Sequence, residues 1–453
     1  MKSRAWAWPA LAASFGIILS LLTFSPGYMD GDTLYQLSQA QKNVYDSWHP
    51  PLMAYWWHWL LKILPNSWGV FLYDEMALWF GLFLVARFLL PKHSLLAAGF
   101  ILFIGFLPPI FSINSLVWKD AVFGSTLLLL FGLMMPVQQN RYSPIRICGI
   151  ILVAFFAMSL RHNGLFAVLP FLIWIGGLSS SHQFRLKQGL LVGFLLASCM
   201  LFDQKLMEKW LVDYAPQFPE QAVYTFDLAG VSVGVNKNLF PDVYDVSVID
   251  LRVLYRPYSV FNLFWPTAGM GNWKRPNFVN AQYASTISQS WRTAIFEHPR
   301  AYLKHRLRFA LMFLGFNVGP ERGKILFPPT NLPLDSSPLR IDSWSVNYLL
   351  GIKSIEHGFL FRAYFYFFPL CLMTFFLFLR PHPEWARAMA VSGLFFTFSF
   401  FIAGVAADFR YSFWLALTTL ILSSYFLIEN ANWLRDQIGR FWQGNKGASH
   451  RVT

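Results

Sequence analysis

Residues 5–52 read AWAWPALAASFGIILSLLTFSPGYMDGDTLYQLSQAQKNVYDSWHPPL, and the first half of that stretch decides the fold. No charged residue occurs between Ala5 and Phe24, a run close to the ~20 apolar residues a helix needs to cross about 30 Å of hydrocarbon. Lys2 and Arg4 precede it as they would in a secretory signal. The run outlasts a signal core, however, and FSPGYMD (24–30) has no small-x-small cleavage pattern. It is expected to remain as a first span, with its basic flank in the cytoplasm and its exit at Ser25 on the outer face. Directly behind that exit stand Asp30 and Asp32, and then His49-Pro50-Pro51.

The rest of the chain repeats the apolar pattern. Of its 453 residues 55% are hydrophobic and only 13% charged, about half the charged share of a soluble protein, which excludes the soluble classes. The net charge of +13 lies mainly in short loops and at segment ends, so it is read as topology and lipid-headgroup contact, with no nucleic-acid partner. Three cysteines, Cys148, Cys199 and Cys371, sit inside apolar runs and provide neither a disulfide framework nor a zinc spacing. Further spans are expected near 67–90, 94–113, 115–135, 145–160, 163–178, 188–204, 358–380, 386–406 and 409–428.

The fold class expected is thus an all-α polytopic membrane protein of about 10–12 transmembrane helices, with surface helices in the first outer loop and a small extramembrane domain. Residues 1–204 form the N-terminal transmembrane module and 205–300, rich in Tyr, Trp, Pro and Asp, the extracytoplasmic domain. Residues 358–430 are the C-terminal helices and 431–453 a basic cytoplasmic tail. The run at 301–319 is long enough to cross, yet one crossing there would invert every later loop. Residues 301–357 are therefore expected to hold a re-entrant or interfacial segment and an outer loop; the alternative is a compensating crossing in PLMAYWWHWLLKIL (51–64).

This topology sends four loops to one face. They carry Asp30, Asp32, Asp46 and His49; Lys119 and Asp120; Arg161, His162 and Asn163; and Asp408, Arg410 and Tyr411. Charges at span ends are often only tolerated there, by snorkelling or loop solvation. Their recurrence on one face marks a candidate polar site. Asp120 opens a span, where a carboxylate also gains from the helix dipole. Carboxylates suit proton abstraction from a hydroxyl or a divalent cation, while Arg161, Arg306 and Arg410 suit a phosphate. Asp74 and Glu75 in YDEMALWF (73–80) are the exception, lying inside an apolar run.

MDGDTLYQLSQA (29–40) followed by WHPPL (48–52) resembles the first outer loop of the C-type (GT-C) membrane glycosyltransferase superfamily, in its protein O-mannosyltransferase and lipid A aminoarabinose transferase branch. VWKDAVFGSTLLLLFGL (117–133) is similar to the second outer loop of that branch, where an Asp opens the fourth span. SLRHNGLFAVLPFL (159–172) resembles its LTKGP region, with Arg161 near the Lys, and DFRYSFWLAL (408–417) a late Arg-Tyr motif. The likeness covers the N-terminal half in order plus that late motif; residues 205–357 show none. One departure concerns the acidic motif, whose Tyr usually follows the first Asp by four residues. Here Tyr35 follows Asp32 by three and Asp30 by five, and Asp32 is favoured.

The resemblance implies a transferase that moves a sugar from a polyprenyl-phosphate donor to a cell-surface glycan, glycolipid or protein at the outer, periplasmic face of a bacterial inner membrane. Asp32 would act as base, with Asp30 the alternative and Asp120 in a second acidic role. His49, Tyr35, Lys119, Arg161, Arg306, Arg410 and Tyr411 would bind substrate. Members of the superfamily differ in needing a divalent metal such as Mg or Mn; one used here would lie on Asp32 and Asp120. Trp265 and Trp273 are candidates for stacking on the acceptor. Rival classes are a polysaccharide polymerase or ligase and a lipid-linked sugar transporter or flippase. The latter would place its ionisable residues near mid-membrane.

Overall fold

The computed structural model describes residues 6–91, 93–136, 143–178, 185–212, 217–244, 247–265, 279–316, 348, 351–352 and 354–449, with only the backbone course given for 243 and 432–449. Helices account for the fold, and among the described residues the only β-pairing consists of isolated bridges. Among the described residues five helices are long and apolar enough to cross a membrane: α1 (Ala7–Phe24), α4 (Trp68–Leu89), α10 (Arg185–Leu211), α17 (Glu384–Ala403), and α18 (Phe413–Ser449) over its first part. A sixth span results if α5 (Ser94–Gly105) and α6 (Pro108–Asn114), bent by 66° to each other, are counted together. The chain is an all-α multi-pass membrane protein.

The bend between α5 and α6 follows from Leu107-Pro108-Pro109. A residue before proline is pushed out of the α region, and Leu107 indeed lies at ψ 128°. Proline then serves as the first residue of the next helix. Between these spans pack shorter apolar helices, α8 (Pro144–Leu160), α9 (Gly164–Gly177) and α16 (Ala363–Leu379), together with α7 (Lys119–Met134). The expectation of ten to twelve spans counts these shorter helices as crossings; by length and apolarity five or six qualify.

Small residues set the closest helix approaches, as expected where lipid offers no hydrophobic drive between helices. A Cβ added at Gly189 of α10 would lie 2.4 Å from the Ile173 carbonyl oxygen of α9, and one at Gly193 would lie 2.8 Å from Ile173 Cα. The outward faces are the reverse. Trp8, Leu11, Phe15, Ile18 and Leu22 form an exposed apolar stripe at helical spacing along α1, and Phe368, Leu372, Phe375 and Leu379 do so on α16. Such stripes match a lipid surrounding.

One end of the bundle carries the surface helices. α2 (Gly31–Lys42) and α3 (Leu52–Leu61) follow α1; α3 begins directly after Pro50-Pro51 and its ten residues span only about 15 Å, half a bilayer core. After α10 come α11 (Gln221–Val235), α12 (Val248–Leu254), α13 (Phe261–Phe264), α14 (Ala281–Glu297) and α15 (Pro299–Leu314). α15 lies along the bundle end. Its Arg306 donates to Gly404 O at the C-terminus of α17 (2.7 Å), Phe313 stacks on Phe400, and Phe316 just beyond it stacks on Tyr364 at the start of α16. The residues expected to be a basic tail continue α18 as helix to Ser449.

Candidate functional site

The loop leaving α1 is stitched to the loop entering α7. Tyr28 N donates to Ser115 O at 3.0 Å and Val117 N donates to Tyr28 O at 2.8 Å, a parallel bridge between chain segments 88 positions apart. Thr33 Oγ1 reinforces it, 2.9 Å from both Val117 O and Asp30 Oδ1. Asp30 is the N-cap of α2, accepting from Thr33 N at 2.9 Å, and Asp32 sits in the first turn, where the helix dipole favours a carboxylate. The stitch brings both to Lys119 and Asp120, at the first turn of α7.

A 3-10 turn, Phe409–Ser412, delivers Arg410 into their midst. Its NH1 lies 3.0 Å from Asp30 Oδ2 and its NH2 3.3 Å from Asp32 Oδ2, while Nε lies 3.6 Å from Asp408 and 3.9 Å from Asp120. Trp118 closes one face, its ring 4.9 Å from the guanidinium carbon. Arg161 pairs with Asp120, donates from Nε to Asn163 Oδ1, and lies over the rings of Phe396, Phe400 and Tyr411. Four carboxylates thus face two guanidiniums, Arg161 and Arg410, and the amine of Lys119.

His49 completes the group. It is buried, and the Lys119 ammonium donates to its Nδ1 at 2.6 Å, which places the ring proton on Nε2. Burial, and then the Lys119 charge, hold His49 well below the usual histidine value, so it is neutral at physiological pH. Its Nε2 has no hydrogen-bond partner among the described residues and points to Asp32 Oδ1, 4.0 Å away. Burial would raise the Asp32 pKa, but the Arg410 and Lys119 charges outweigh it and hold the carboxyl below its usual range. The side chain of Asp32 is 46% exposed, against 15% for Asp30 and 3% for Asp120. Of the three acids, Asp32 is the one a substrate can reach.

Eight of the ten residues singled out in the sequence meet here: Asp30, Asp32, His49, Lys119, Asp120, Arg161, Arg410 and Tyr411. Tyr35 stands at the margin, donating to Asp46, its ring centroid 6.2 Å from that of His49. Arg306 stands apart, 2.7 Å from Asp227 of α11 in a buried network with His305, Trp291 and Tyr255. Asp74 and Glu75 belong to the helix interface; Glu75 accepts from Trp79 Nε1 at 3.0 Å. Trp265 is about half exposed beside Phe261, and Trp273 lies outside the described residues.

Sequence reasoning missed the supports. Trp118 under Arg410 gives no signal in a chain with 19 Trp. Thr33, three residues after a capping Asp, was legible as a cap pattern. Gln217, which donates to Asp46 at 3.0 Å and whose backbone N donates to Ser47 Oγ at 2.8 Å, clamps the loop leading to His49 from 170 residues away. Asp32 and Asp120, the residues on which a divalent cation would lie, each already face a guanidinium. No family model, curated protein or solved structure matches the chain.

Proposed function

We propose that the protein is an integral membrane glycosyltransferase of the bacterial cell envelope, moving a sugar from a polyprenyl-phosphate donor to a hydroxyl acceptor at the periplasmic face of the inner membrane. The observation that carries this reading is the 4.0 Å gap between His49 Nε2 and Asp32 Oδ1, too long for a hydrogen bond and lined by a buried, unpartnered donor. A hydroxyl between them would accept from His49 and donate to Asp32. The sites it fills have opposite polarity, as an oxygen about to lose its proton requires.

In the reaction Asp32 takes that proton while the acceptor oxygen attacks the anomeric carbon. The bond from that carbon to the phosphate oxygen breaks, and the electron pair leaves with the polyprenyl phosphate, which gains one negative charge. Arg410 and Lys119 are the cations on hand for it, through charge-assisted hydrogen bonds. Inversion follows from the single displacement. Arg161, held by Asp120 and Asn163, positions Asp120 rather than gripping phosphate. No step is routed through a metal.

The test compares surface glycans and glycolipids by mass spectrometry in cells lacking the chain, complemented with the native protein or with Asp32→Asn at equal expression. Loss of a sugar-bearing species on deletion, its return with the native chain and its absence with Asp32→Asn is expected. Full restoration by Asp32→Asn overturns the assignment of the base, and an unchanged glycan profile on deletion overturns the reading.

A further inference from the structure

On the flank of the bundle-end helices, α11 and α14 enclose an open groove of about 910 Å³, within the range of about 300–1,000 Å³ usual for ligand sites. Phe218, Tyr224, Ser288, Gln289, Arg292 and Phe296 are among its walls. α14 supplies most of the lining at helical spacing, from Ala281 through Ser285 and Ser288 to Phe296. The opposite face of that helix, with Ile287 and Ala294, is packed into the protein. At ~1.5 Å per residue its 17 residues provide a wall about 25 Å long.

The lining selects a ligand class. Ser285, Ser288, Gln289 and Thr293 both donate and accept, and Phe218, Tyr224 and Phe296 offer ring faces. None of those four polar side chains makes a hydrogen bond within the described residues, whereas Trp291 on the packed side of the same helix is committed to Asp227 at 2.8 Å. The aliphatic lining is limited to two alanines, which does not suit an acyl or isoprenoid tail. The charges are one cation, Arg292, against two acids, Glu220 and Glu297, which does not suit a polyanion. Hydroxyls and amides between aromatic faces suit a neutral polyhydroxylated chain.

The groove is tied through Gln217 to the loop that carries His49. Phe218 follows Gln217, which is bonded to Asp46 and Ser47 three and two positions before His49. We infer that the α11–α14 groove is a saccharide-binding site, which holds the non-reacting part of a neutral glycan acceptor while its terminal hydroxyl meets Asp32. The word acceptor rests on the glycosyl-transfer reading; saccharide binding does not.

The test uses the full chain in nanodiscs and, as probe, the oligosaccharides released from the host envelope, separated into neutral and anionic fractions. Native protein and Asp32→Asn should retain neutral oligosaccharides equally, while Gln289→Leu and Arg292→Leu, both on the exposed face, should weaken retention at least tenfold with unchanged thermal unfolding. Retention of only the anionic fraction, no retention at all, or equal retention by the groove variants overturns the inference. If the glycan profile of cells is indifferent to deletion while neutral retention holds, the transferase reading fails and the groove stands. Unaltered transfer by the groove variants has the reverse meaning.

Discussion

Replacing Arg410 with methionine removes the one cation shared by four acids and keeps most of the side-chain volume. At an effective dielectric of about 20, each contact between 3.0 and 3.9 Å represents roughly 4–6 kcal/mol of attraction before burial costs and repulsion among the acids are set against it. Asp32 is nearly half exposed and its share is screened. Asp30, Asp120 and Asp408 would remain crowded, and breaking a buried pair of this kind costs about 3–5 kcal/mol. The sign of the pH dependence follows. Without Arg410 Asp32 loses the foremost of the charges that depress it, so the stability this pairing contributes is missing above the carboxylate range and the deficit fades as pH falls through that range. In the native protein Asp32 is held below its usual value, so its contribution is present above the carboxylate range and lost only below it. His49, depressed in the folded protein by burial and in part by Arg410, costs stability below about pH 6.5 and costs less without Arg410, which narrows the deficit in the same direction. Unfolding of native and Arg410→Met protein in nanodiscs, compared at pH 7 and pH 3, should show a deficit of about 3–5 kcal/mol that shrinks at the lower pH. A deficit below about 1 kcal/mol, or one equal at both values, refutes the four-acid reading.

Asp32→Asn should lower transfer by about 10²–10⁴-fold with little change in unfolding, as loss of a general base does. Asp30→Ala should instead cost about 1–2 kcal/mol of stability through the lost cap, read from unfolding curves. Transfer measured between pH 6 and 8 should show no limb from His49, because burial and Lys119 keep it neutral there; an inflection near 6.5 that disappears in His49→Gln would contradict that neutrality. Gly230→Ala puts a methyl 2.1 Å from His305 Nδ1, whose ring is fixed by Tyr255 and Asp227, and should destabilise by about 1–3 kcal/mol in the same unfolding assay.

How far these elements could be read in advance depended on the range of the interaction involved. Apolar run length located α1, α4 and α17 within a few residues, since burial in lipid and backbone satisfaction act along one segment. The break before Pro108 was equally local and was missed only because the surrounding run is uniformly apolar. The two-bond stitch between Tyr28 and Leu116 could not be read, because it joins backbone groups whose side chains carry no trace of it. Arg306 marks the other limit. Its type fits a phosphate as well as Arg410 does, and only the fold shows that Asp227 and the Gly404 carbonyl already occupy it.

The arrangement around Arg410 also bears on when Asp32 is a base. At rest the guanidinium, with Lys119, depresses the carboxyl, and a depressed carboxylate is a weak acceptor of protons. On the glycosyl-transfer reading the donor brings a phosphodiester, an anion that competes with Asp30, Asp32, Asp120 and Asp408 for the same guanidinium. Asp32 is the most exposed of these and holds Arg410 through a 3.3 Å contact, longer than the 3.0 Å contact of Asp30. It is the contact that yields at least cost. A phosphate drawn against Arg410 would therefore release Asp32 and raise its basicity just as the sugar arrives, while the departing phosphate, gaining charge, would bind Arg410 more tightly in the transition state than in the ground state. Such a site has little catalytic base to offer water in the absence of donor, which is what a transferase working at an aqueous face needs.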